Sequence, residues 1–122
     1  FAGAREKPVA AVVRRAQRLR LPDRPGPGQA AYHFESLDFP ATERRFNSYF
    51  AEFHISAHDA SRAHAHPGAE LVYALTGTLV LRIGDDEYRL DAGDSIYFDS
   101  SVPHTYWRDG DAPCTGVVVT SA

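Results

Sequence analysis

Three histidines and one glutamate carry residue types and a spacing from which metal chemistry can be built. His64, His66 and Glu70 lie in the run His64-Ala65-His66-Pro67-Gly68-Ala69-Glu70, and Gly77 follows after six more residues. His104 closes a later run, Gly93-Asp94-Ser95-Ile96-Tyr97-Phe98 followed by Val102-Pro103-His104. Imidazoles and a carboxylate together make a complete ligand set for a divalent transition metal. Alternate residues of a strand share a face, so His64 and His66 project side by side. Glu70 keeps their parity if the strand continues through Pro67-Gly68. A ligand from a distant segment, His104, is what a closed β-barrel brings across its interior. The expectation is one divalent ion per chain; Zn, Fe, Mn and Ni all suit these donors.

The elements that must hold these residues read as short strands. Tyr32–Leu37 and Arg45–Ser56 are expected strands, the second with Tyr49, Ala51, Phe53 and Ile55 on one face. Beyond the histidine pair come Ala69–Thr76, Thr78–Ile83, Glu87–Leu90, Ser95–Phe98, Pro103–Trp107 and Pro113–Thr120. Gly84-Asp85-Asp86 between two of them is a hairpin signal. Val9–Leu21 fits neither a helical stripe nor a strand face cleanly, and Pro22–Gly28 is a Pro/Gly-rich loop. The expected organisation is an N-terminal lead-in over 1–28 and a single all-β domain, a sandwich or a barrel, over 29–122.

At 122 residues the chain is long enough for one core and too short for two domains. Hydrophobic residues make up 43% and charged residues 24%, as in a soluble globular protein. No apolar run approaches the ~20 residues of a membrane helix, and no secretory pattern opens the chain. Cys114 is the only cysteine, which excludes an internal disulfide and favours a cytoplasmic location. Charge is uneven: residues 1–24 carry a balance of +5 and residues 25–122 one of −8. An acidic domain does not by itself hold a phosphate backbone. Arg14, Arg15, Arg18, Arg20 and Arg24 read as a solvated face beside a linker. The chain starts at Phe1 and contains no Met, so it reads as a fragment, a trimmed chain or a processed chain.

The pattern His-x-His-x3-Glu-x6-Gly at 64–77, with Gly93 and Pro103-His104 downstream, resembles the two signature motifs of the cupins. That resemblance implies a single-domain jelly-roll β-barrel with a metal held near its axis by His64, His66, Glu70 and His104. The stretches His66–Gly77 and Asp94–His104 resemble more narrowly the C-terminal cupin of helix-turn-helix regulators of the XRE type. The chain departs from the motif at His58, at Asp99-Ser100-Ser101 and at Arg108, while the metal ligands are intact. The resemblance implies a ligand-sensing domain: a small-molecule effector in the barrel beside the metal, a homodimer, and DNA reached only through a domain outside this chain. No membrane partner is expected.

Tyr106 lies two residues after His104 and shares its face, so it is a candidate ligand-binding residue, as are Glu52 and His54. Tyr73 has the opposite parity to Glu70, and Trp107 faces away from His104. Cys114 has no His or basic sequence neighbour to activate it. No Ser-His-Asp order, phosphate loop or CxxC pair is present, so no catalytic side chain is assigned and any chemistry belongs to the metal. The first expectation is therefore a non-catalytic sensor. The alternative is a metalloenzyme, such as an Fe-dependent oxygenase, because the ligands leave coordination positions open. Some relatives that place a helix-turn-helix domain before a cupin are iron oxidases, so the tandem layout suits both.

Overall fold

The computed structural model describes residues 10–21, 32–54 and 63–122. The 1–8 tail, the Pro22–Gly28 loop with Arg24, and Ile55 and His58 lie outside the described residues. The strands are β1 (Arg20–Leu21), β2 (Tyr32–Ser36), β3 (Phe46–Phe53), β4 (Ala69–Thr76), β5 (Thr78–Ile83), β6 (Asp86–Asp91), β7 (Ser95–Asp99), β8 (His104–Arg108) and β9 (Cys114–Ser121). They form one six-stranded sheet in the order β1-β2-β3-β9-β4-β7 and one three-stranded sheet in the order β6-β5-β8. Every pairing is antiparallel. No described helix is long and apolar enough to cross a membrane.

Alternation sets which way each side chain points. In β4, Glu70, Val72 and Ala74 are buried, while Leu71, Tyr73 and Leu75 are exposed. The inward rows of β3, β4, β5, β8 and β9 meet in one core that includes Ala51, Phe53, Val72, Leu79, Leu81, Tyr106 and Val118. Strand β8 joins the sheets. One of its edges pairs with β5. At the other, His64 and His104 exchange backbone hydrogen bonds of 2.8 Å each, and the Arg108 N–H donates to the His54 carbonyl at 3.1 Å. The all-β cupin barrel expected from the sequence is the fold observed.

Two glycines of the motif have backbone reasons. Gly77 sits at φ +76° between β4 and β5, and a Cβ there would meet the Pro113 carbonyl and the Cys114 backbone. Gly68 sits at φ +102° and bends the chain, so no single strand runs from His64 to Glu70. The condition on which Glu70 would keep the parity of the histidine pair, a strand continuing through Pro67-Gly68, is thereby not met. The Val9–Leu21 stretch resolves, over its described part, into a 3-10 turn at Arg15–Gln17 and then β1. The 1–28 lead-in therefore contributes a strand to the larger sheet. Arg18 pairs with Glu35 at 2.9 Å and lies 4.7 Å over the Phe50 ring, and Arg20 pairs with Glu52 at 3.3 Å.

Phe53 is fully buried, and its ring lies 5.5 Å from that of Tyr106. Phe53→Ala should cost about 3–5 kcal/mol of stability, as buried Phe truncations do. Urea unfolding would read that loss; a cost under about 1 kcal/mol would mean that the core does not close around Phe53.

Candidate metal centre

The strand alternation that buries Val72 and Ala74 also buries Glu70, which is 2% exposed. A carboxylate in such a slot is costly unless it is paired and hydrogen-bonded. Its partners here are specific. His66 Nε2 lies 3.1 Å and His104 Nε2 3.6 Å from Glu70 Oε1, and the Tyr106 hydroxyl donates to Glu70 Oε2. Donor atoms of His66, Glu70 and His104 all lie within 4.8 Å of one another. Among the described residues, the ion partners of Glu70 are imidazoles alone.

Each donor has its own support. His104 opens β8, and its Nδ1–H donates to the Val102 carbonyl at 2.8 Å, which leaves Nε2 aimed at Glu70. Burial alone lowers His104, but Glu70 and the Val102 carbonyl outweigh it and hold the ring above the usual imidazole value. His66 stands outside any strand. Its N–H donates to the Ser100 carbonyl at 2.9 Å, and the Ser100 hydroxyl donates to the His66 carbonyl at 2.9 Å. Ser100 is fully buried, so the loop that departs from the cupin pattern anchors a metal-ligand candidate.

These groups line a cavity of about 480 Å³ that opens to solvent. The structure brings together His66, Glu70 and His104. His64 lines the same cavity, but its Nε2 meets the Tyr32 hydroxyl. Burial, with Glu70 nearby, pushes the Tyr32 phenol up, so it stays protonated beside His64. Tyr106 lines the cavity and is 2% exposed. Glu52 and His54 do not line it: inward Ala51 and Phe53 put them on the opposite face of β3, beside His33. The alternation of β3 decides this, and it corrects the expectation that they bind a ligand in the barrel. Trp107 packs on the outer face of the small sheet under the Arg82 guanidinium, 5.7 Å from the ring centroid. Burial raises the Cys114 thiol to about 11, which keeps it unreactive.

Sequence reasoning missed the cavity wall. Tyr32, Phe34 and Tyr49 stack along it, with centroids 4.9 and 5.1 Å apart and planes 25° and 26° from parallel. The period-two placement of Tyr32 and Phe34 is the signal that could have found them. Ser100 carries no comparable signal.

The cupin-domain family profile matches residues 51–120, more than half of the chain. The chain belongs to the cupin family. No curated protein matches it by sequence. Among solved structures, Fe(II)-HppE with an alternative substrate superposes at TM-score 0.73 with 16% identity, over 93% of this chain and 60% of that one. Hydroxypropylphosphonic acid epoxidase from S. wedmorenis gives TM-score 0.70 and 16% identity, over 93% and 59%. A cupin-superfamily sugar phosphate isomerase from Silicibacter pomeroyi gives 0.62 and 22%, over 75% and 60%. This chain thus spans about three fifths of the length of these structures. At such identities the likeness carries the fold. The named neighbours are nonetheless enzymes, which overturns the expectation of a non-catalytic barrel; nothing in the comparisons supports a tie to XRE-type regulators.

The donors fit a divalent transition metal, and the fit rests on this chain. A buried carboxylate faced by two imidazole nitrogens is an arrangement that a cation relieves. Protons compete with the ion for the imidazole nitrogens. Zn²⁺ affinity in a chelator competition should therefore rise with pH through the imidazole range and above it, because His104 holds its proton more tightly than usual. Tyr106→Phe should lower that affinity about 10–100-fold, as loss of a supporting hydrogen bond does, and His104→Ala by more. A pH-independent affinity, or a His104→Ala variant that binds as tightly as the parent, would refute the assignment.

Proposed function

We propose that this cupin barrel is the catalytic domain of a mononuclear metalloenzyme, with the metal held by His66, Glu70 and His104. The observation that carries the reading is the convergence of two imidazoles and one carboxylate in the lining of an open cavity. Two His and one carboxylate with open positions beside them form the facial arrangement used by non-haem Fe(II) oxygenases. When bound, Fe(II) supplies oxygen activation or Lewis-acid polarisation of a substrate oxygen. The Fe(II) bound by the superposing HppE structure supports the choice of iron.

The chain's own residues bind and orient. Tyr106 fixes the Glu70 carboxylate, the Val102 carbonyl fixes the His104 ring, and Ser100 fixes the backbone at His66. Tyr32 holds His64, the remaining member of the expected ligand set, beside the metal position. Tyr32, Phe34 and Tyr49 offer a flat apolar wall, with Asn47 and Thr120 as polar groups in the same cavity. Such a wall suits a small organic substrate with a planar or apolar body and one polar group turned to the metal.

The reading includes a second copy of the chain. Leu71, Tyr73, Leu75 and Tyr97 stand exposed on the outer face of β4 and β7, and a symmetric partner would cover them. Leu71→Glu with Tyr97→Glu should turn a dimer into a monomer in sedimentation velocity. A parent chain that is itself monomeric at micromolar concentration would remove this element.

The test of the activity is anaerobic loading with Fe(II), then nitric oxide. The parent chain should retain one iron and give the half-integer-spin EPR signal of a nitrosyl with an open iron position. Glu70→Ala should lose at least about 100-fold in iron affinity, beyond the effect of any supporting partner. Oxygen uptake with small aromatic acids should exceed that of the chelator-treated chain. Iron retained equally by the parent and Glu70→Ala, or retained without a nitrosyl signal, would sink the proposal.

A further inference from the structure

Three donors outside the barrel cavity also converge. His33 lies on β2 directly across from Glu52 on β3, and His54 follows Glu52 by two residues on the same face. Antiparallel pairing therefore places the three side chains side by side on the outer surface of the large sheet, and the ladder itself holds their spacing. Their donor atoms lie within 4.8 Å of one another. His33 Nδ1 and His54 Nε2 are 2.6 Å apart, and His54 Nε2 is 3.9 Å from Glu52 Oε1.

We infer that His33, Glu52 and His54 form a second metal site for a borderline divalent ion of the Zn²⁺ class, on the face of β2 and β3 that points away from the cavity. The donor set selects the ion: imidazole suits Zn, Ni and Cu, while Mg²⁺ and Ca²⁺ demand oxygen. Zn–N distances of about 2.0–2.1 Å put neighbouring donors of a tetrahedral ion about 3.3 Å apart. The observed separations of 2.6 and 3.9 Å bracket that value, so small side-chain rotations suffice. Only one of the two facing nitrogens can carry the proton between them, and an ion takes its place. Arg20 also reaches Glu52 Oε1, at 3.3 Å, and must move to the other carboxylate oxygen. The fourth position belongs to water, as the partial exposure of all three side chains allows. The ion would clamp β2 to β3 behind the Tyr32–Phe34–Tyr49 wall.

The experiment counts Zn²⁺ per chain by equilibrium dialysis and elemental analysis at micromolar free Zn²⁺. It compares the chelator-stripped parent with His33→Gln/His54→Gln, whose changes are confined to the outer face. The parent should hold two ions and the double variant one. One ion in the parent and none in the variant would also support the outer site, and would count against the barrel site instead. Equal counts in the two chains, or no bound Zn²⁺ in the parent, would overturn the inference. Circular dichroism of the variant checks that the fold is kept. A second readout follows the imidazole Hε1 resonances of His33 and His54, which should shift or broaden with Zn²⁺ in the parent. If those signals ignore Zn²⁺, the inference fails whatever the count.

Discussion

A carboxylate buried on the inward row of β4 is the constraint around which the site is organised. Glu70 occupies a slot that strand alternation otherwise gives to Val72 and Ala74. Leaving a charge there unpaired would cost several kcal/mol. The surrounding chain answers with His66 from a bend, His104 from the start of β8, and the Tyr106 hydroxyl from the same strand. His66 is a near neighbour in sequence, but His104 and Tyr106 come from a distant strand, so the carboxylate is fully satisfied only once the two sheets have closed on each other. Folding and site assembly are in this sense one event.

Strand β8 ties the two sheets together. It carries His104 and Tyr106 inward, pairs with β5, and meets His64 and His54 through backbone hydrogen bonds. The Val102 carbonyl just before it sets the tautomer of His104. The support of the donors is therefore largely main-chain, which lets the Asp99-Ser100-Ser101 loop depart from the family pattern without loss of position. Ser100, buried and bonded to the His66 backbone in both directions, fills that structural role.

The large sheet presents two different surfaces from the same strands. Inward, β2 and β3 carry the aromatic wall of the cavity; outward, they carry His33, Glu52 and His54 together with the arginine–glutamate pairs. The arginines that give the N-terminal part its positive balance are, where described, partly neutralised by Glu35 and Glu52. The solved structures that share the fold differ from this chain at more than three quarters of aligned positions, so the likeness carries the fold and not the lining of the cavity.

The sequence by itself determined the all-β class, most strand positions and the residues with metal chemistry, because those depend on local signals. Period-two alternation marked β3, glycines marked the turns, and the spacing of His64, His66, Glu70 and His104 marked the cupin. Parity within one strand was legible too: Tyr73 is outward and Tyr106 inward, as expected. Parity across a bend was not, since the positive φ of Gly68 breaks the strand that would have linked the histidine pair to Glu70. Only the tertiary structure decided that the His64 ring meets Tyr32, that Glu52 and His54 face outward beside His33, and that Ser100 anchors His66. Each of these rests on register between strands distant in the chain, and no local pattern encodes which of two facing residues a side chain will find.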